Sequence, residues 1–120
     1  MRLLVVDDNP QVSRVLVRAF SEEGYVVDRV ADGALGLEQI TAVSYDVAIL
    51  DWMLPGMDGV TVCRTARARG VKTPILILTA RAEPGSRDIA IDAGASDYVA
   101  KPFDLDELVK RVRSIGDRSA

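Results

Sequence analysis

Three uninterrupted apolar runs, LLVV at 3–6, VAIL at 47–50 and ILIL at 75–78, constrain this chain more than any other feature. A strand with one face in water alternates apolar and polar residues, so runs of this kind predict central strands of a parallel sheet covered on both faces. Helical patterns lie between and after them. Val12, Val15, Leu16, Ala19 and Phe20 fall on one face of a helix, and Leu105, Leu108, Val109 and Val112 repeat the spacing. Asn9 is placed to cap the first helix, with Pro10 at its first position and Gly24 after its end, while Asp104 precedes the last helix with Glu107 three residues on. Weaker patterns predict helices over 33–43, 58–69 and 86–93, the last closed by Gly94, and shorter strands over 25–30 and 97–100. Asp28 and Arg29 mark the former as an edge. Five strands alternating with five helices predict one α/β domain, a parallel sheet with helices on both faces and right-handed crossovers.

Composition narrows the chemistry. A length of 120 residues accommodates one core. The net charge of -3 argues against the positive footprint that sequence-independent nucleic-acid binding requires. In MRLLVVDDNP the apolar stretch ends at Asp7 and Asp8, too early for a signal-peptide core or a membrane span, so a cytoplasmic location without membrane contact is expected. A single cysteine, Cys63, leaves no internal disulfide, and its place beside Val62 and Ala66 on a helical stripe reads as core. With no histidine, the usual zinc sites and Ser/His/Asp or Cys/His catalysis are ruled out. Carboxylates, lysine, threonine and a metal remain. Residues 116–120 lose the apolar period and read, after a domain over 1–115, as a tail or the start of a linker to an output domain absent from this chain.

In open α/β sheets, ligand sites form beyond the carboxyl ends of the strands. Asp7 and Asp8 end the first predicted strand, Asp51 the third, Thr79 the fourth and Lys101 the fifth, so five positions distant in sequence are expected on one rim. Carboxylates brought together repel, which raises their pKa values unless a cation is present, and a hard-oxygen cluster suits Mg²⁺ with several waters retained. An aspartate in such a site can attack phosphorus while the metal and a lysine stabilise the oxygens. Taken alone, an acidic pair after a strand is more often a helix cap or a solvated turn. Pro55-Gly56 and Asp58-Gly59 also serve as turn punctuation. Trp52 reads as partly packed at the mouth of the site, narrowing access to Asp51, and Tyr98 alone as a half-buried strand aromatic.

VVDDN at 5–9, ILDWMLPGMDG at 49–59, ILTA at 77–80 and DYVAKPF at 97–103 resemble the receiver domain of two-component response regulators. The resemblance implies a flavodoxin-like (βα)5 domain with strand order 2-1-3-4-5. It implies that Asp51 is the phosphoacceptor, that Asp8 and Asp51 ligate Mg²⁺ directly, Asp7 through water, and that Met53 adds its backbone carbonyl. Lys101 would then pair with the phosphoryl oxygens, Thr79 supply a hydroxyl and Ala80 a backbone N–H, and the Lys101–Pro102 peptide would be cis. Tyr98 would be a second switch residue, moving inward as Thr79 is drawn to the phosphoryl group. The implied donor is a phosphohistidine on a sensor histidine kinase; a chain without histidine fits the acceptor role. Such a domain takes part in its own phosphotransfer and autodephosphorylation and is not a turnover enzyme.

MLPGMDG, LTAR and AGASDYVAKPFDLDEL are similar to the branch joined to winged-helix DNA-binding domains, the OmpR/PhoB type. That similarity implies a homodimer of the phosphorylated form through helix 4, strand 5 and helix 5, with Arg87, Asp97, Glu107 and Arg111 in charged pairs across it. Docking of the kinase is expected on Arg14, Val15 and Arg18 of the first helix and on Pro102 and Phe103. Two departures bear on switching: Ser96 stands where many relatives have Asp, and Glu83-Pro84-Gly85-Ser86 replaces a charged helix start, with Ser86 placed to cap a shortened helix. Two rival functions stay open, a constitutive interaction module on the same fold and a metal-dependent phosphatase or nucleotide-binding enzyme. The latter lacks a GxGxxG or GxxxxGK[ST] loop.

Overall fold

The computed structural model describes residues 1–81 and 83–118. Among them, five strands alternate with five helices: β1 (Arg2–Val6), α1 (Pro10–Glu22), β2 (Val26–Val30), α2 (Gly33–Ala42), β3 (Val47–Asp51), α3 (Gly59–Ala68), β4 (Ile75–Thr79), α4 (Ser86–Asp92), β5 (Asp97–Ala100) and α5 (Leu105–Arg118). The strands form one sheet in the order β2-β1-β3-β4-β5, and every neighbouring pair is parallel. The apolar runs are its three inner strands, and β2, with Asp28 and Arg29, is an edge as expected.

Two-sided burial follows from strand geometry. Successive side chains point to opposite faces, so Leu4, Val6, Ala48, Leu50, Ile75 and Ile77 pack with residues of α2, α3 and α4. Their sequence neighbours Leu3, Val5, Val47, Ile49, Leu76 and Leu78 pack with Leu16 and Phe20 of α1 and Leu108 and Val112 of α5. Every one of those strand residues is buried. Cys63 is a buried core residue whose thiol lies 3.5 Å from the Ala93 carbonyl, and burial pushes its pKa up.

The caps read from sequence are present in part. Asn9 accepts from the Gln11 and Val12 N–H groups, and Asp104 accepts from Glu107 N–H. Ser86 is not the cap of α4. Gly85 holds that position at φ +88°, a left-handed conformation that glycine adopts without the steric cost of a side chain, and Ser86 is buried as the first helical residue. Helix α4 is seven residues long, in keeping with the shortening expected from Pro84 and Gly85. In the stretch expected as a tail or the start of a linker, α5 runs through Arg118 and Gly116 is buried, while 119 and 120 lie outside the described residues. Among the described residues no helix is long and apolar enough to cross a membrane.

Candidate phosphoryl-transfer site

All five strands run the same way, so their carboxyl ends share one rim. Asp51 is the last residue of β3 and Thr79 of β4, while Asp7 and Lys101 directly follow β1 and β5. Carboxylate oxygens of Asp7, Asp8 and Asp51 lie within 4.8 Å of one another. Lys101 Nζ sits 3.3 Å from Asp7 Oδ2 and 3.4 Å from Asp51 Oδ2. Asp7 and Asp51 are only 2% and 5% exposed, whereas Asp8 is open to solvent.

Backbone geometry holds these groups. Asn9 N–H donates to Asp7 Oδ1 at 2.9 Å and Met53 N–H approaches Asp51 Oδ1 at 3.4 Å. The loop after β3 folds back through Leu54 and Gly59 N–H bonds to the Trp52 carbonyl. Gly59 is required there, since a Cβ would fall 2.1 Å from the Asp51 carbonyl oxygen. Lys101 N–H donates to the Thr79 carbonyl at 2.7 Å, tying two strand ends, and the Lys101–Pro102 peptide is cis, as the resemblance implies.

Charge on the rim is unbalanced: three carboxylates face one ammonium. Burial, and then the neighbouring Asp7 charge, raise the Asp51 carboxyl above its ordinary pKa, against the opposing pull of Lys101. Buried like charges with hard oxygen donors are the donor chemistry of a small divalent cation. The cluster therefore fits Mg²⁺, with Asp7, Asp8 and Asp51 as the groups to hold it.

Around this core, Thr79 is fully buried and its Oγ1 accepts from Arg81 N–H at 3.0 Å, while Ala80 is exposed. The Tyr98 hydroxyl donates to the Arg81 carbonyl, and its ring meets Trp52 edge-on at 6.4 Å and 85°. Trp52, expected to be only partly packed, is 4% exposed within the core. The Arg81 guanidinium covers its ring at 4.7 Å. That stack escaped the sequence reading; the available signals were an aromatic beside Asp51 and a cation two residues past Thr79, but their pairing depends on β3 lying next to β4.

The other expected site residues form separate surfaces. Arg14, Val15, Arg18 and Pro102 are exposed and Phe103 is half-buried. Arg87, Asp97, Glu107 and Arg111 are tied to one another within the chain: Asp97 meets Arg111 at 3.1 Å and Arg87 at 3.8 Å, and Glu107 meets Arg111 at 3.1 Å. Ser96 presents its hydroxyl to the Ile75 N–H at 3.3 Å, at the start of β4.

A parallel sheet of this order, with an acidic triad and a lysine on its carboxyl rim, defines a flavodoxin-like domain built to handle a phosphorylated group. The family model described as "Response regulator receiver domain" matches residues 3–113, and the chain belongs to that family. It is 47% identical over 118 residues to the transcriptional regulatory protein TcrA of Mycobacterium tuberculosis, an alignment covering 98% of this chain and 47% of that protein. The chain spans about half the length of the first curated relatives it matches, a transcriptional regulatory protein and the transcriptional activator protein IrlR of Burkholderia pseudomallei. Among solved structures, the receiver domain of Francisella response regulator 1452 superposes with a TM-score of 0.95 at 32% identity, covering 99% of this chain and 98% of that one. The receiver domain of the Pseudomonas aeruginosa sensor histidine kinase PA1611, with a magnesium ion coordinated in its active-site cleft, gives a TM-score of 0.87 at 36% identity, covering 97% of each chain.

Proposed function

We propose that Asp51 accepts a phosphoryl group from a phosphohistidine of a sensor histidine kinase and that the modified rim drives a change in the α4–β5–α5 surface. The observation that carries this reading is the placement of Lys101 Nζ between two nearly buried carboxylates, 3.3 Å from Asp7 and 3.4 Å from Asp51. An Asp51 carboxylate oxygen attacks phosphorus, the P–N bond to the donor imidazole breaks with its electron pair leaving on nitrogen, and an acyl phosphate forms. Lys101 presents its ammonium to the phosphoryl oxygens, and the Thr79 hydroxyl and the Ala80 N–H donate to them. Asp7, Asp8, Asp51 and the Met53 carbonyl are the proposed Mg²⁺ ligands, Asp7 through water. Mg²⁺ bound there supplies positive charge to the oxygens during transfer.

The acyl phosphate adds roughly two negative charges and three strong acceptors. Thr79 and Lys101 then gain the phosphoryl oxygens as added partners in one state only, which biases a conformational equilibrium of the fold. The resulting surface promotes homodimerisation through the face carrying Arg87, Asp97, Glu107 and Arg111. Transcriptional output would be carried by a DNA-binding domain beyond the receiver, which itself contacts no DNA. Kinase docking is assigned to Arg14, Val15, Arg18, Pro102 and Phe103, with the encounter in the cytoplasm. Autodephosphorylation ends the signal without a turnover cycle.

One experiment separates this reading from its rivals. The chain is incubated with acetyl phosphate and Mg²⁺, and intact mass is measured for wild type and Asp51→Asn. A single phosphoryl adduct on wild type alone is expected. No adduct on wild type would favour a constitutive interaction module, and continuous phosphate release would favour an enzyme.

A further inference from the structure

Beside the acceptor strand, two aromatic rings and one guanidinium form a stack that phosphoryl transfer does not require. We infer that Trp52 and Arg81 are positioning residues that hold Tyr98 inward independently of phosphorylation, so that half of the switch is set before the signal arrives. The inference rests on reading Tyr98 as a switch residue. Two contacts fix its place, and a third holds Trp52. The Tyr98 hydroxyl donates to the Arg81 carbonyl, the Tyr98 ring meets Trp52 edge-on at 6.4 Å, and the Arg81 guanidinium lies 4.7 Å over the Trp52 ring.

The base of the stack is rigid. Trp52 belongs to the core cluster with Leu54, Val60, Ile77 and Ala90, and Tyr98 packs against the same cluster. Arg81 is held further by Glu83 at 3.2 Å. Its backbone serves both switch residues, since its N–H donates to Thr79 Oγ1 at 3.0 Å while its carbonyl accepts from Tyr98. Drawing the Thr79 hydroxyl toward a phosphoryl group replaces the first bond and leaves the second intact. Tyr98 then need not travel, and only Thr79 changes partners. An edge-on aromatic pair and a cation over a ring each shift a two-state ratio about fivefold.

The test places 3-fluorotyrosine in the chain, assigns Tyr98 by comparison with Tyr98→Phe, and records ¹⁹F spectra with and without Mg²⁺ and beryllium fluoride. In wild type, the Tyr98 resonance is expected to move little on addition. In Arg81→Ala and in Trp52→Leu, the resonance without beryllium fluoride should shift toward an exposed tyrosine, the inward-to-outward ratio falling about fivefold, and return on addition. Trp52→Phe keeps an edge contact with a weaker cation site and should fall between. It also stands in if Trp52→Leu fails to fold, as judged by circular dichroism. Arg81→Ala and Trp52→Phe spectra identical to wild type without beryllium fluoride would overturn the inference, as would a wild-type resonance that moves as far as those of the variants. Intact mass after acetyl phosphate is read on the same samples. Failure of phosphoryl uptake counts against Asp51 as acceptor, whereas the comparison of Tyr98 positions is made without any donor and stands separately.

Discussion

Two clusters built from similar groups occupy opposite ends of the sheet. On the carboxyl rim, Asp7, Asp8 and Asp51 share one cation, Lys101. Toward the amino ends of β1 and β3, Asp28 accepts from Arg2 at 2.9 Å and from the Tyr45 hydroxyl at 2.7 Å, Gln39 donates to that hydroxyl at 3.1 Å, and Arg2 lies 5.6 Å over the Tyr45 ring. In the second cluster one Asp28 oxygen accepts from both Arg2 and Tyr45, so its charge is paired within the fold. The first carries surplus negative charge out of water, a cost that only a cation or a change of protonation relieves. Satisfied charge stabilises the fold, and unsatisfied charge creates a site.

The sharpest break of this contrast is Lys101→Ala. Removing the cation that meets the rim carboxylates should slow phosphoryl uptake from acetyl phosphate about 100-fold or more, by the measure of other preorganised charge-stabilising groups, as followed by intact mass. Stopped uptake is expected only for Asp51→Asn.

Next in size, one kind of substitution should act with opposite sign at the two ends. Without Mg²⁺, the raised Asp51 pKa means that folding loses stability as pH rises from the unfolded value of 3.8 through the higher folded value. Asp51→Asn escapes that loss and should melt at a higher temperature than wild type at neutral pH in chelator. Added Mg²⁺ should narrow the gap. Asp28→Asn removes the charge that Arg2 and Tyr45 share and should cost about 1–2 kcal/mol. Equal signs in the two melts would remove the contrast.

Tyr45 sharpens it by titration. Burial, and then the hydrogen bond to Asp28, push its pKa from 10.0 to about 12. A raised pKa contributes stability that is fully present below pH 10 and is lost as pH rises through about 12. Phenolate absorbance should therefore show an ionisation near that value that is lost in Tyr45→Phe. The smallest effect belongs to the α4–β5–α5 face, where the exposed Arg87 reaches Asp97 only at 3.8 Å. Arg87→Ala should change stability by no more than about 0.5 kcal/mol in chemical denaturation, leaving any larger effect on association to be read as an interface effect.

Much of this was legible along the chain because periodicity reports burial locally. The runs at 3–6, 47–50 and 75–78 announce strands with two covered faces, and the stripe of α1 announces its buried side. Strand ends place Asp7, Asp51, Thr79 and Lys101 on one rim as soon as the sheet is parallel. Serine is a common capping residue and so marks position 86 as the cap of α4, yet the turn at Pro84-Gly85 needs a positive φ that passes the position to glycine. Residues 116–118 lack an apolar period, but the small Gly116 is buried at the end of α5.

By itself, then, the sequence determined the α/β class, the parallel sheet and the identity of the rim groups, since each follows from local pattern and from the direction of parallel strands. Only the tertiary structure decided which of them touch. The distances from Lys101 to two carboxylates, the raised pKa of Asp51, the Arg2–Asp28–Tyr45 cluster and the stack of Arg81, Trp52 and Tyr98 all join residues distant in the chain. Such contacts depend on strand order, register and the exclusion of water, which are properties of the packed sheet and leave no periodic mark on any one segment.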